Sequence, residues 1–238
     1  MRLLSFDKEV RQISCSNRDA PPYAVLSHTW GPDEVFVQDL MDGTANYKLG
    51  FLKIKFCGNQ AAQDGLKFFW LDCCCIDSKN GSELSEAINS IFSMFQRAAK
   101  CYVFLSDVST DRAKEDSTGL YSWQAAFRQS RWFTRSWTLQ ELIAPASIEF
   151  FSLEGDRLGD KQSLEQLIHE ASGIAIEALR GRPLSHFSVA ERMSWAYRRY
   201  ATREEDKPYS LLGIFNVQMA LIYGEGTQKA LLRLWEEI

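Results

Sequence analysis

Glu141 is the acidic side chain of the segment Arg135-Ser136-Trp137-Thr138-Leu139-Gln140-Glu141-Leu142-Ile143-Ala144-Pro145. An indole, Trp137, precedes it by one helical turn, and a basic residue, Arg135, stands just ahead. Pro145 ends the short helix, because it lacks an amide donor and disfavours helical geometry in the residue before it. A lone carboxylate beside an aromatic platform suits cleavage of a bond to a leaving group that is positively charged beforehand. The carboxylate then answers the positive charge that develops on the other fragment.

Such a group needs a frame. The chain has 238 residues, 45% hydrophobic and 24% charged, which is a globular balance sufficient for one large domain or one domain with a helical appendage. A net charge of −4 and three scattered histidines argue against electrostatic binding of nucleic acid. No apolar run approaches the roughly 18 residues of a membrane span. The start, Met1-Arg2-Leu3-Leu4-Ser5-Phe6-Asp7, lacks the layout of a signal peptide. Of the six cysteines, Cys73, Cys74 and Cys75 are consecutive and the others sit in apolar segments, a pattern of reduced, buried thiols in a cytoplasmic protein. Without Cys-x-x-Cys or His-Glu-x-x-His, no metal site is expected.

Compact apolar runs predict strands at 23–27, 68–71, 101–105 and 147–151. Three-four spacing predicts helices over 49–65 and, most clearly, over 82–99, with Ser82 as the cap and 73–81 as a loop. A polar connection is expected over 106–119, followed by an aromatic segment over 123–133 and the helix carrying Glu141. Helices are further expected over 163–179, 189–200 and 227–238; the chain closes on the last of these without a polar tail, as a piece of a longer protein would. Strands alternating with helices imply an α/β fold with a parallel sheet covered on both faces. Ligands in such folds gather at the carboxyl ends of the strands, where Ser27-His28, Asp72-Cys73 and Ser106-Asp107 fall.

Four ordered motifs are Pro-Pro-Tyr-Ala-Val-Leu-Ser-His-Thr-Trp-Gly (21–31), Phe-Trp-Leu-Asp-Cys-Cys-Cys-Ile-Asp (69–77), Glu-Leu-Ser-Glu-Ala-Ile-Asn-Ser-Ile-Phe (83–92) and the segment 135–145. Together they resemble the fungal heterokaryon incompatibility (HET) domain, as does the ending Thr-Arg-Glu-Glu-Asp-Lys-Pro-Tyr-Ser-Leu-Leu-Gly-Ile-Phe with Tyr-Gly-Glu-Gly-Thr. Cys73 departs from the threonine more usual in that family. The resemblance implies a cytoplasmic domain that triggers programmed cell death on non-self recognition, a form of innate immunity. It also implies self-association and fusion, in a longer protein, to a nucleotide-binding oligomerisation module and WD repeats.

A more distant resemblance is to Toll/interleukin-1 receptor (TIR) domains, whose NAD-cleaving members carry a glutamate in a Ser-x-Trp-Cys-x-x-Glu-Leu segment. Ser136-Trp137-Thr138-Leu139-Gln140-Glu141-Leu142 is similar to it. The implied fold is a TIR-like (flavodoxin-like) parallel sheet over residues 1–155, with a mainly helical part over 156–238. The implied reaction is cleavage of NAD, as substrate and not as cofactor, with Glu141 as the catalytic group. Ser27, His28 and Asp72 would line the pocket, Trp30 or Trp137 would pack on a ring, and Arg135 would meet the diphosphate.

Each residue also has a plainer role. Glu141 reads equally as a solvated helix glutamate and His28 as a hydrogen-bonded loop histidine. Trp30 and Trp137 read as core aromatics, and Asp72 as a brace for the loop after its strand. The corresponding alternative for the whole chain is a non-catalytic adaptor that signals by protein-protein contact.

Overall fold

The computed structural model describes residues 1–7, 9–16, 19–111 and 122–238. Its strands are β1 (Arg2–Asp7), β2 (Glu9–Ser14), β3 (Tyr23–His28), β4 (Phe68–Trp70), β5 (Lys100–Phe104), β6 (Ile148–Phe151) and β7 (Arg157–Asp160). The helices are α1 (Val37–Met41), α2 (Phe51–Gln63), α3 (Asp72–Cys75), α4 (Gly81–Arg97), α5 (Ser122–Gln129) and α6 (Thr138–Ile143). Beyond the sheet follow α7 (Glu165–Ser172), α8 (Ile176–Leu179), α9 (Val189–Ser194), α10 (Asp206–Tyr209), α11 (Leu212–Phe215) and α12 (Thr227–Glu237).

The strands form one sheet in the order β2-β1-β4-β3-β5-β6-β7. The four expected strands pair in parallel at its centre, β4 to β3, β3 to β5 and β5 to β6. All six residues of β3 are buried, as a run without polar alternation requires in the middle of a covered sheet. The sheet as a whole is mixed, not parallel. A hairpin of β1 and β2 joins antiparallel at one edge, and β7 joins antiparallel at the other. Both edges escape the sequence pattern because β2 is mostly polar and β7 has only four residues.

Alternation along the central strands separates the two helical layers. On one face Tyr102 donates to Asp64 at the end of α2 (2.5 Å), and Phe56 of α2 packs against Phe104 and Phe151. On the other face Tyr23 donates to the Met94 carbonyl of α4, Trp70 meets Phe95, and Phe150 meets Phe127 and Trp132. Ser27 belongs to this second face and His28 to the first.

Several expected elements shift. The 82–99 helix begins one residue early, because Asn80 and not Ser82 caps it by accepting from the Glu83 amide (3.3 Å). Asp72 to Cys75, expected as strand end and loop, makes a helical turn. Gly58 lies inside α2 because the helix crosses Phe6 of β1; a Cβ there would come within 2.6 Å of the Phe6 Cβ. The single helix expected over 163–179 is two, parted at Gly173 (φ 72°), and the 189–200 helix stops at Ser194. The polar connection expected over 106–119 lies, beyond residue 111, outside the described residues.

The helical remainder is fastened to the second face. Asn89 of α4 exchanges hydrogen bonds with the Met219 backbone (3.1 and 3.2 Å). Thr134 and Ser136 exchange backbone hydrogen bonds with Tyr200 (2.8 and 2.9 Å), a short parallel bridge. Gly213 of α11 presses so closely on α4 and α6 that a Cβ would stand 2.1 Å from the Phe92 Cβ and 2.5 Å from Gln140 Oε1. Gly213→Ala should therefore destabilise the protein by about 1–3 kcal/mol. Gly81→Ala, whose Cβ would meet nothing within 4 Å, serves as the control. Thermal melts of the two variants should separate by several degrees, and equal melting temperatures would contradict this packing.

Candidate functional site

At the carboxyl ends of the central strands the chain leaves β3 for one side of the sheet and, later, β5 for the other. The strand order reverses there, which is where open α/β sheets leave a crevice. A cavity of about 300 Å³ opens at these ends. His28, Trp30, Asp72, Arg135, Trp137 and Glu141 all line it, so six of the seven residues expected at the site converge on one space. Ser27, the seventh, is fully buried behind Glu141 and does not reach the cavity.

Glu141 occupies the inner wall, only 5% exposed. Trp132 Nε1 donates to Ser27 Oγ (2.8 Å), and the Ser27 hydroxyl donates in turn to the Glu141 carboxyl. The indole is thus spent orienting the serine, and the serine's one proton faces the carboxyl oxygen. Burial pushes the acid upward and the Asp72 charge adds to this; Ser27, His28 and Arg199 pull the other way, leaving it raised to about 8. At neutral pH the resting side chain is mostly uncharged, and a cation entering the cavity favours its ionised form.

Asp72 has the opposite setting. It accepts from His28 Nε2 (3.2 Å), Trp30 Nε1 (2.9 Å) and its neighbour's amide on Cys73 (2.7 Å). Burial alone would raise it, but the His28, Trp30 and amide bonds hold it below the usual carboxylate range. Two carboxyl groups on one cavity are thereby driven apart, one ionised and one neutral, the pattern of divided roles in acid-base and glycosidic chemistry.

His28 is braced from both sides. Burial disfavours its charged form while Asp72 and Cys73 favour it and pull the imidazole upward. Lys53 opposes them, since its ammonium, 3.1 Å from Nδ1, can donate only to an unprotonated nitrogen. Whenever the ring carries a single proton, that contact keeps it on Nε2, toward Asp72. His28, Glu34 and Cys73 also bring ligand atoms within 4.8 Å of one another, a donor set a divalent ion could use. Lys53 already engages two of the three, donating to Glu34 and His28, and donates to the Thr29 carbonyl as well (3.1 Å).

Trp30 is 47% exposed at the rim, edge-on to Phe36, and so is not a core aromatic. Trp137 is half-buried on the opposite wall beside Asp206. Arg135 donates to Thr202 Oγ1 (3.1 Å) and lies over the Tyr200 ring, 5.3 Å from its centre. Sequence reasoning missed the outer wall, built by Thr202, Arg203, Asp206 and Tyr223 from the helical remainder. It missed Trp132 and Arg199 as well. Arg199 is buried, donates to the Arg135 carbonyl (2.9 Å) and Thr138 Oγ1 (2.8 Å), and is lowered to about 9 by burial against the counter-pull of Glu141. The motif Thr202-Arg203-Glu204-Glu205-Asp206 was visible in the sequence, but only folding shows that it faces Glu141.

A family model described as heterokaryon incompatibility protein (HET) matches residues 23–120. The chain is also similar to vegetative incompatibility protein HET-E-1 of Podospora anserina, 59% identical over 243 residues, covering 100% of this chain and 18% of that protein. The chain therefore spans less than a fifth of the relative's length. No solved structure matches it.

The buried acid gives a test by pH. A carboxyl raised to about 8 when folded contributes stability fully below its unfolded value, near pH 4.3, and loses that contribution as pH rises through 8. Between those limits the unfolded chain has released the proton and the folded chain has not. Glu141→Gln should flatten the decline in unfolding free energy across this window, where one proton accounts for up to about 1.4 kcal/mol per pH unit. Parallel denaturant titrations of the two proteins from pH 5 to about 8 check it; identical slopes would refute the assignment.

Proposed function

We propose, for a chain that belongs to the heterokaryon incompatibility (HET) family, that it is the death effector of a longer fungal protein and acts by cleaving NAD to nicotinamide and ADP-ribose. The observation that carries this reading is Glu141: a buried acid, open to a cavity, oriented by Ser27 and facing aromatic side chains. A structural glutamate at so low an exposure would be expected to have a cationic partner. Among the described residues no ion pair engages it.

NAD supplies the missing positive charge as a pyridinium ring. When its bond to the ribose breaks, the bonding electron pair goes to the ring nitrogen, which leaves as neutral nicotinamide and needs no general acid. Positive charge passes to the ribose as an oxocarbenium-like state, where an ionised Glu141 stabilises it. Water then adds to the ribose carbon and gives up one proton. Trp30 or Trp137 offers a face to the nicotinamide ring, and the Asp72 charge beneath favours its cationic state.

A TIR-like or flavodoxin-like kinship of the sheet is part of the same reading. The central parallel strands, numbered by their own chain order, run 2-1-3-4, the start of the flavodoxin-like sequence 2-1-3-4-5. The relative is far longer than this chain, which suits a domain clustered by fused oligomerisation and repeat modules in the cytoplasm.

The experiment joins the chain to an oligomerising tag and follows nicotinamide release from NAD. The clustered protein should release nicotinamide, and Glu141→Gln should slow this about 100-fold or more while leaving the fold intact by circular dichroism. Equal activity of the two would remove Glu141 from the mechanism. No release by the clustered protein would overturn the hydrolase in favour of an adaptor.

A further inference from the structure

Among the described residues Arg2, Arg128, Arg157, Arg180 and Arg233 each pair with a carboxylate, while Arg131 binds a serine hydroxyl and Arg192 lies over Phe215. The two arginines that line the cavity belong to the second group. Among the described residues neither Arg135 nor Arg203 has a carboxylate within ion-pair distance, although Asp206 lines the same cavity. Each rests on an aromatic ring instead: Arg135 on Tyr200 at 5.3 Å and Arg203 on Tyr223 at 4.5 Å.

A guanidinium over a ring keeps its charge and, after Arg135 gives one donor to Thr202 and Arg203 one to Tyr223, still has N–H groups to offer a phosphate. Tyr223 is itself held, donating to Asp206 Oδ1 (2.9 Å). Tyr200 is held through the backbone bridge to the segment that carries Arg135. Both arginines are thus mounted on ordered supports. The cavity has an acidic floor, Glu141 and Asp72, and an outer wall where the guanidinium groups of Arg135 and Arg203 outnumber the one carboxyl of Asp206. A matching ligand is positive or neutral at its inner end and negative at its outer end.

We propose that Arg203, from the helical remainder, and Arg135, from the segment entering α6, form a two-armed clamp for the phosphate groups of a nucleotide whose ribose reaches Glu141. The clamp rests on the NAD reading for its inner end and makes a separate claim about its outer one. At about 300 Å³ the cavity lies at the small end of ligand pockets, so it takes the nicotinamide-ribose half while the phosphates stay at the mouth. The helical remainder becomes half of the binding site, and Arg203 a binding residue that no motif around Glu141 announces.

The test measures binding without turnover. In the clustered protein carrying Glu141→Gln, ADP-ribose and nicotinamide riboside, the phosphate-free inner half, are titrated separately by calorimetry, with and without Arg203→Ala. Arg203 is exposed, so its replacement leaves the fold alone. Loss of Arg203 should weaken ADP-ribose binding about tenfold or more and leave nicotinamide riboside unchanged, and Arg203→Lys should recover part of the loss. Arg135→Ala should act in the same direction. An Arg203→Ala protein that binds ADP-ribose as before, or loses both ligands equally, would overturn the clamp, as would absence of ADP-ribose binding altogether. Phosphate-dependent binding with no nicotinamide release from NAD by the clustered wild-type chain would uphold the clamp and defeat the hydrolase.

Discussion

The burial of one carboxyl group governs how the rest of this molecule is arranged. Removing an ionised carboxylate from water costs several kcal/mol unless partners replace the lost hydration. Among the described residues the Glu141 carboxyl has a single hydroxyl as hydrogen-bond partner and a buried arginine nearby, so it settles as a largely neutral acid. A group held in this way is poised to respond to a positive charge. The features that enforce this state are structural: Ser27, the second-last residue of an entirely buried strand, Trp132 behind it, and the close packing of α6 on the sheet.

Asp72 shows that burial alone does not set the outcome. It shares the cavity with Glu141 but starts a helical turn, so its carboxylate collects an amide, an indole and an imidazole proton. The charge so stabilised raises Glu141 further, which couples the end of β4 to α6 across the cavity. Behind His28, the partly buried Lys53 and the buried Glu34 form a second group that braces the imidazole. The site is thus a chain of neighbouring electrostatic choices, each made by a different element of the sheet's upper edge.

The sequence disclosed the centre of the fold better than its borders. Val25, Phe69 and Val103 lie in unbroken apolar runs, and such runs have few other places to go than a covered central sheet. β2, with Glu9, Arg11 and Gln12, looks like a loop because an edge strand needs to bury only one face and can be polar on the other. Gly173 and the turn after Ser194 cut helices that periodicity alone runs together. In the site, the spacing around Glu141 and the strand-end rule brought His28, Asp72 and Trp137 into view. Ser27 was expected to line the pocket with them; it lies behind Glu141 and donates to its carboxyl, since adjacent residues of a strand point to opposite faces.

The amino-acid sequence by itself determined the strand-helix alternation, the α/β class and the candidate acid, because these depend on local periodicity and on residue types at fixed spacing. Tertiary structure decided the ionisation of that acid and the identity of the wall opposite it. Both depend on groups far apart in the chain, such as Ser27 with Glu141 and Arg135 with Thr202, brought together by packing. Proton affinity in a buried site is set by what lies within a few ångströms in space, and no local pattern encodes that distance.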